Sequence, residues 1–183
     1  MKKHTLTLDE NFDDESPLLD NIAILLFRTD TPNYLFADDL NHLYRISLAR
    51  IDDIALPGAS LPLYIFHDSL SYLDYYLVDL TLAQSGNPTI AQSKLLIIRG
   101  EATDGIVQKI LRDFNEQPTE GDPNNPLLQH RNDTLLSYQQ ALTSVTRYDP
   151  QFPATLSKKA AKERQELDNL LTSLIDYIDI NHL

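Results

Sequence analysis

Residues 61–100 read LPLYIFHDSLSYLDYYLVDLTLAQSGNPTIAQSKLLIIRG, and three strands are legible in them. Leu63, Tyr64, Ile65 and Phe66 form a compact apolar segment. Residues 72–82 alternate, with Tyr76, Val78, Leu80 and Leu82 on one face and Leu77, Asp79 and Thr81 on the other. That period of two is the mark of a strand. Residues 94–99 (KLLIIR) are a further apolar run, ended by Gly100, and the Ser85-Gly86-Asn87-Pro88 cluster before it is a turn. Connections this short favour an antiparallel meander, because parallel crossovers need about a dozen residues or more.

Toward the N-terminus, residues 21–28 carry Ile22, Ile24, Leu25, Leu26 and Phe27, and their length and polar flanks favour a buried strand. Thr31-Pro32 resembles an N-cap followed by proline at the first helical position. Leu35, Phe36, Leu40, Leu43 and Tyr44 then recur at helical spacing through residues 34–46. Leu48, Arg50 and Ile54 suggest a short strand closed by Pro57-Gly58. Residues 4–8 alternate like a strand, and the acidic stretch 9–20 reads as a loop. Toward the C-terminus, Thr103 or Asp104 is placed to cap a helix bearing Ile106, Val107, Ile110, Leu111 and Phe114. Residues 117–126 (QPTEGDPNNP) read as a linker. Two helical patterns follow, over 127–148 and 154–181, broken by Asp149-Pro150-Gln151-Phe152-Pro153. The second has one apolar stripe through Leu156, Ala160, Leu167, Leu170, Leu171, Leu174, Ile175 and Ile178.

These segments predict an α+β fold: a mostly antiparallel sheet with packed helices, plus a C-terminal helical hairpin. The expected division is an α+β domain over 1–116, a linker over 117–126 and a helical C-terminal extension over 127–183. A chain of 183 residues is long enough to bury a core without staples. It has no cysteine, which excludes disulfides, thiolate metal sites and cysteine nucleophiles. Lys2-Lys3 is not followed by a signal-peptide apolar stretch, and the longest apolar run is far short of a membrane span. A cytoplasmic protein with no membrane association is expected. Fifteen Lys and Arg stand against 27 Asp and Glu, for a net charge of −12. Such a chain repels phosphate backbones, so no nucleic-acid partner is expected. Its densest basic stretch, Lys158, Lys159, Lys162 and Arg164, is interrupted by alanines and Glu163.

The order of segments, with NYLFADDLNHLYRISLARIDDI, LPLYIFHDSLSYLDYYLVDL and AQSKLLIIRGEATDGIVQKILRDF, resembles the IPExxxVDY family of Bacteroidetes, small cytoplasmic proteins of uncharacterised function. The likeness spans about residues 1–115 and is carried by Tyr34, Leu40, Asn41, residues 50–53 and the Leu-Ile-Ile-Arg-Gly strand. At the position of the naming motif only Ile90 corresponds. The resemblance implies no catalytic residue.

Four groups have the composition of chemical sites. Asp38, Asp39 and His42 share one helix face at the spacing of helical metal ligands, but no second such unit exists, and a solvated helix flank is the plain reading. Asp52-Asp53 with Arg50 has the makings of a Mg²⁺ site, yet no glycine-rich phosphate loop accompanies it. An Asp-rich turn accounts for it. His67-Asp68-Ser69 brings triad residue types together, with Ser60, Ser71 and Ser93 in nearby loops, without a nucleophile elbow. Tyr64, Tyr72, Tyr75 and Tyr76 can stack bases on a sheet, but Asp68, Asp74 and Asp79 surround them; a mix of core and surface aromatics is the plain reading, and a protein interface is the better functional alternative. No catalytic, cofactor-binding or metal residue is therefore assigned, and no cofactor. The leading reading is a non-enzymatic accessory protein acting through self-association or a protein partner. The alternative is an enzyme or small-ligand-binding domain whose site is assembled from dispersed residues.

Overall fold

The computed structural model describes residues 21–56, 58–116, 125–148, 157–181 and 183. The chain begins with strand β1 (Ile22–Arg28) and helix α1 (Asn33–Tyr44), followed by short strands β2 (Ala49–Arg50), β3 (Ile54–Leu56) and β4 (Ala59–Leu61). Strands β5 (Leu63–Asp68) and β6 (Leu73–Asp79), helix α2 (Pro88–Ala91) and strand β7 (Ser93–Arg99) come next, then helices α3 (Thr103–Asn115) and α4 (Pro126–Gln140), strand β8 (Ser144–Arg147) and helix α5 (Lys158–Ile180). Six strands form one sheet in the order β2-β5-β6-β7-β1-β8, antiparallel throughout. β3 and β4 form a separate two-stranded hairpin. The α+β class and the antiparallel meander β5-β6-β7 stand as the sequence implies.

Both faces of the sheet are covered, which is why its central strands read as unbroken apolar runs. Along one face, Tyr64, Leu77, Leu96 and Leu25 lie in register, and along the other, Ile65, Tyr76, Ile97 and Ile24. The first face meets α1, α3 and α4 through Phe36, Leu40, Val107, Phe114, Leu135 and Tyr138. Phe27 anchors this layer edge-on against Phe36 and Phe114, with ring centroids 5.0 and 5.1 Å apart, the arrangement aromatic quadrupoles favour. The second face meets the β3–β4 hairpin, α2 and the stripe Leu167, Leu171, Leu174, Ile175 and Ile178 of α5. The apolar face of α5 is thus used within the chain.

The expected helical hairpin does not form, because the pattern read as one helix over 127–148 contains a strand. α4 stops at Gln140, and Leu142 turns left-handed at φ 56°. The Thr143 amide then donates to the Tyr138 carbonyl at 2.9 Å and the Leu142 amide to Gln139 at 3.0 Å. This is the paired closure of a Schellman motif, with leucine where glycine is usual. Released from the helix, Ser144–Arg147 runs antiparallel to β1 at the sheet edge. α4 packs on the first face and α5 on the second, so the sheet lies between them.

Smaller differences have local causes. Pro32 occupies the N-cap position of α1, and Thr31 does not cap it; the Thr31 amide donates to Thr29 Oγ1 at 3.3 Å. α3 likewise starts at Thr103 without a side-chain cap. The strand expected over 72–82 ends at Asp79, whose carboxylate accepts the Thr81 amide at 3.1 Å and curls Leu80–Ala83 into a 3-10 turn. Leu82 is exposed in consequence. The strand-like segment after Ser47 splits into β2 and β3. The alternation at 4–8, the loop at 9–20 and all but the last two residues of the linker lie outside the described residues. Those two start α4: the Asn125 side chain accepts the Leu127 amide at 3.1 Å, and Pro126 follows it in the first turn. Among the described residues no helix is long and apolar enough to cross a membrane.

Candidate functional site

The layer of α1, α3 and α4 leaves a cavity of about 430 Å³ between the end of α1, the middle of α3 and the first turns of α4. α1 supplies His42 and Leu43, and Arg45 just beyond it; α3 supplies Lys109; the start of α4 supplies Leu127, Leu128, His130 and Arg131. Each is placed by local chemistry. Arg45 closes α1 in the left-handed conformation at φ 56°, which turns the chain sharply toward β2. Asn41 braces that turn, its side chain accepting the Leu48 amide at 2.7 Å and donating to the Leu48 carbonyl at 3.2 Å. On α4, Asn125 caps the first turn, and this N-terminal end of the helix, where the partial charge is positive, lines the cavity together with His130 and Arg131.

The electrostatics of this wall are opposite to those of the whole chain. Three of the fifteen Lys and Arg and two of the five histidines line one cavity. Arg131 is partly neutralised by Asp113, its Nη2 lying 2.6 Å from Oδ2 of that buried carboxylate. Arg45 and Lys109 have no ion-pair partner among the described residues; the Lys109 ammonium stands 5.6 Å from the Tyr44 ring centroid. The Tyr44 hydroxyl lies behind this wall beside Asp113, without a hydrogen bond of sound geometry. Burial, then the Asp113 charge, pushes its ionisation far above the ordinary phenol range. His42 and His130 face each other edge to face, with ring centroids 6.2 Å apart.

The groups singled out in the sequence are dispersed by the fold. Asp39 and His42 diverge: Asp39 accepts the hydroxyl of buried Tyr138 on α4, while His42 Nδ1 lies 2.9 Å from the Asp38 carbonyl oxygen. No group of three or more metal-ligating side chains occurs among the described residues. Asp53 is held by Arg50 at 2.8 Å and by the Ser60 hydroxyl at 3.2 Å. The hydrogen bond from Arg50, its largest influence, keeps its carboxyl below the ordinary range.

His67 pairs across the strands with Asp74 at 2.8 Å. Asp68 instead accepts the Ser71 hydroxyl and the Leu70 amide, so the three adjacent residues assemble no triad. The tyrosines fall on different surfaces: Tyr64 and Tyr75 in the first core, Tyr76 in the second, and Tyr72 exposed in the β5–β6 turn. No common stacking face results. In the basic stretch of α5, Arg164 lies 3.9 Å from the Tyr148 ring centroid and pairs with Asp168 at 3.3 Å.

No family model, curated protein or solved structure matches the chain.

Proposed function

We propose that this protein binds a small organic anion in the cavity between α1, α3 and α4. The observation that carries the reading is the convergence of Arg45, Lys109 and Arg131 from three helices on one cavity of a chain with a net charge of −12. Arg45 and Lys109 have no ion-pair partner among the described residues, and an anion bound beside them gains their attraction. The cavity is within the usual range of small-ligand sites, roughly 300–1,000 Å³. This is the dispersed-residue alternative of the sequence reading. The apolar stripe of α5 is occupied by the chain's own sheet and is not a free surface for a partner.

The test is a titration of ¹⁵N-labelled protein with phenyl phosphate, following the amides of Lys109, Leu127, Leu128 and His130. Saturable shifts confined to these residues are expected. Arg45→Asn with Lys109→Gln should weaken binding at least tenfold; asparagine tolerates the left-handed position of Arg45. Shifts scattered over the surface, or unchanged in the double variant, would refute the reading.

A second reading, contact with a protein partner or a second copy of the chain, is favoured by the β5–β6 turn. It holds Leu70 and Tyr72 out to solvent on a loop pinned by Asp68. A concentration-dependent sedimentation coefficient that disappears in Leu70→Ser/Tyr72→Ser would support it.

A further inference from the structure

The cavity wall is not uniformly polar. Leu127 and Leu128 form the first turn of α4, and both line the cavity while remaining 75% and 37% exposed. Leu43, itself buried, is a third apolar residue of the lining. The apolar residues that anchor α4 to the sheet are Leu135 and Tyr138, about two turns further on. Leu127 and Leu128 therefore contribute nothing to that core and leave apolar surface unpaired beside Arg45 and Lys109. Burying such surface is favourable in proportion to its area.

We propose, resting on the anion-binding reading above, that the ligand is a two-part molecule: a phosphate monoester whose phosphate lies at Arg45 and Lys109 and whose apolar body covers Leu127 and Leu128. Two unpaired cations match a dianion better than a carboxylate, and Arg131 and the first turn of α4 line the same cavity. The volume of about 430 Å³ exceeds what inorganic phosphate alone fills. A free small molecule is the committed form, because the net charge of −12 opposes approach to an anionic lipid surface.

Calorimetry on the full chain with three probes separates this proposal from the reading beneath it. Phenyl phosphate is expected to bind at least tenfold more tightly than inorganic phosphate, and phenol to show no binding. Leu127→Ser/Leu128→Ser, at exposed positions that the core does not use, should lower phenyl phosphate to the affinity of inorganic phosphate and leave inorganic phosphate unchanged. Equal affinities for the two phosphates would overturn the two-part ligand while sparing the anion site. Binding of neither would overturn both. Co-sedimentation with phosphatidylserine vesicles, lost in the same leucine variant, would transfer the site to a membrane surface and overturn the free-ligand proposal.

Discussion

Lys94 and Asp79 make a test of how this sheet tolerates charge. They are directly opposite each other on β7 and β6, with Nζ 2.9 Å from Oδ2 and side chains only 4% and 10% exposed. Asp79 is further satisfied by the Thr81 amide and hydroxyl at 3.1 and 2.6 Å, whereas Asp79 is the one hydrogen-bond acceptor of Lys94 among the described residues. The two deletions are therefore unequal. Asp79→Ala leaves an ammonium buried without its counter-charge, at a cost of about 3–5 kcal/mol, and loses the Thr81 bonds for about 1 kcal/mol more. Lys94→Met removes the cation but leaves the carboxylate two donors, so about 1–3 kcal/mol is expected. The double variant should be less damaging than the sum, since no unpaired ammonium remains. Urea unfolding of all four proteins with a common m-value measures each term. A loss below about 1 kcal/mol in Asp79→Ala, or strict additivity in the double variant, would show that water reaches Lys94 and that the pair is not a buried one.

Three further predictions concern single features. Leu171→Asp puts a charge where α5 meets the sheet, at a side chain 4% exposed; it should cost about 3–5 kcal/mol and lower Tm equally at every protein concentration, whereas a concentration-dependent loss would place the seam between two chains. Asp39→Ala removes the carboxylate that accepts the hydroxyl of buried Tyr138, leaving it Thr31, and should cost about 1–2 kcal/mol, while His42→Ala on the exposed flank should stay within about 0.5 kcal/mol; equal effects in denaturant unfolding would contradict the divergence of the two side chains. Burial, then the charge of Asp68, pushes the Tyr75 phenol up to about 12. The folded state thus holds this proton more tightly than the unfolded chain, and the associated stability, complete below about pH 10, is lost as pH rises through about 12. Tyr75→Phe should make alkaline unfolding shallower over that window, and an unchanged profile would mean the ring is wetted.

The strands were legible because each is a short apolar run with turn residues at its ends, and both faces of the sheet demand apolar side chains. β8 was misread for a reason that is equally physical. Val145 and Thr146 within it, and Thr143 just before it, are β-branched, the composition of a strand, but no glycine, proline or asparagine separates them from α4. The stop is made instead by Leu142 in a left-handed conformation, 87% exposed, a position at which leucine costs about 1–2 kcal/mol. Sequence reasoning has no signal for a turn built from a residue that disfavours it. The strain makes a check available: Leu142→Gly, after glycine's own entropic cost of about 0.5–1 kcal/mol, should raise stability by about 0.5–1 kcal/mol in urea unfolding, and a loss would mean the leucine side chain makes a contact of its own.

The same misreading concealed the cavity. A helix running from 127 to 148 would turn back on α5, carrying His130 and Arg131 away from α1 and α3. Only when the chain leaves α4 at Gln140 and re-enters the sheet beside β1 is the start of α4 held against Arg45 and Lys109. The cations that face the cavity come from positions that have no motif in common: a left-handed helix cap, the middle of an amphipathic helix and the first turns of another. Their spacing in sequence is arbitrary because the sheet, not the local chain, sets the distances between them. A site of this kind follows from the topology, and the topology here depended on recognising four residues as a strand.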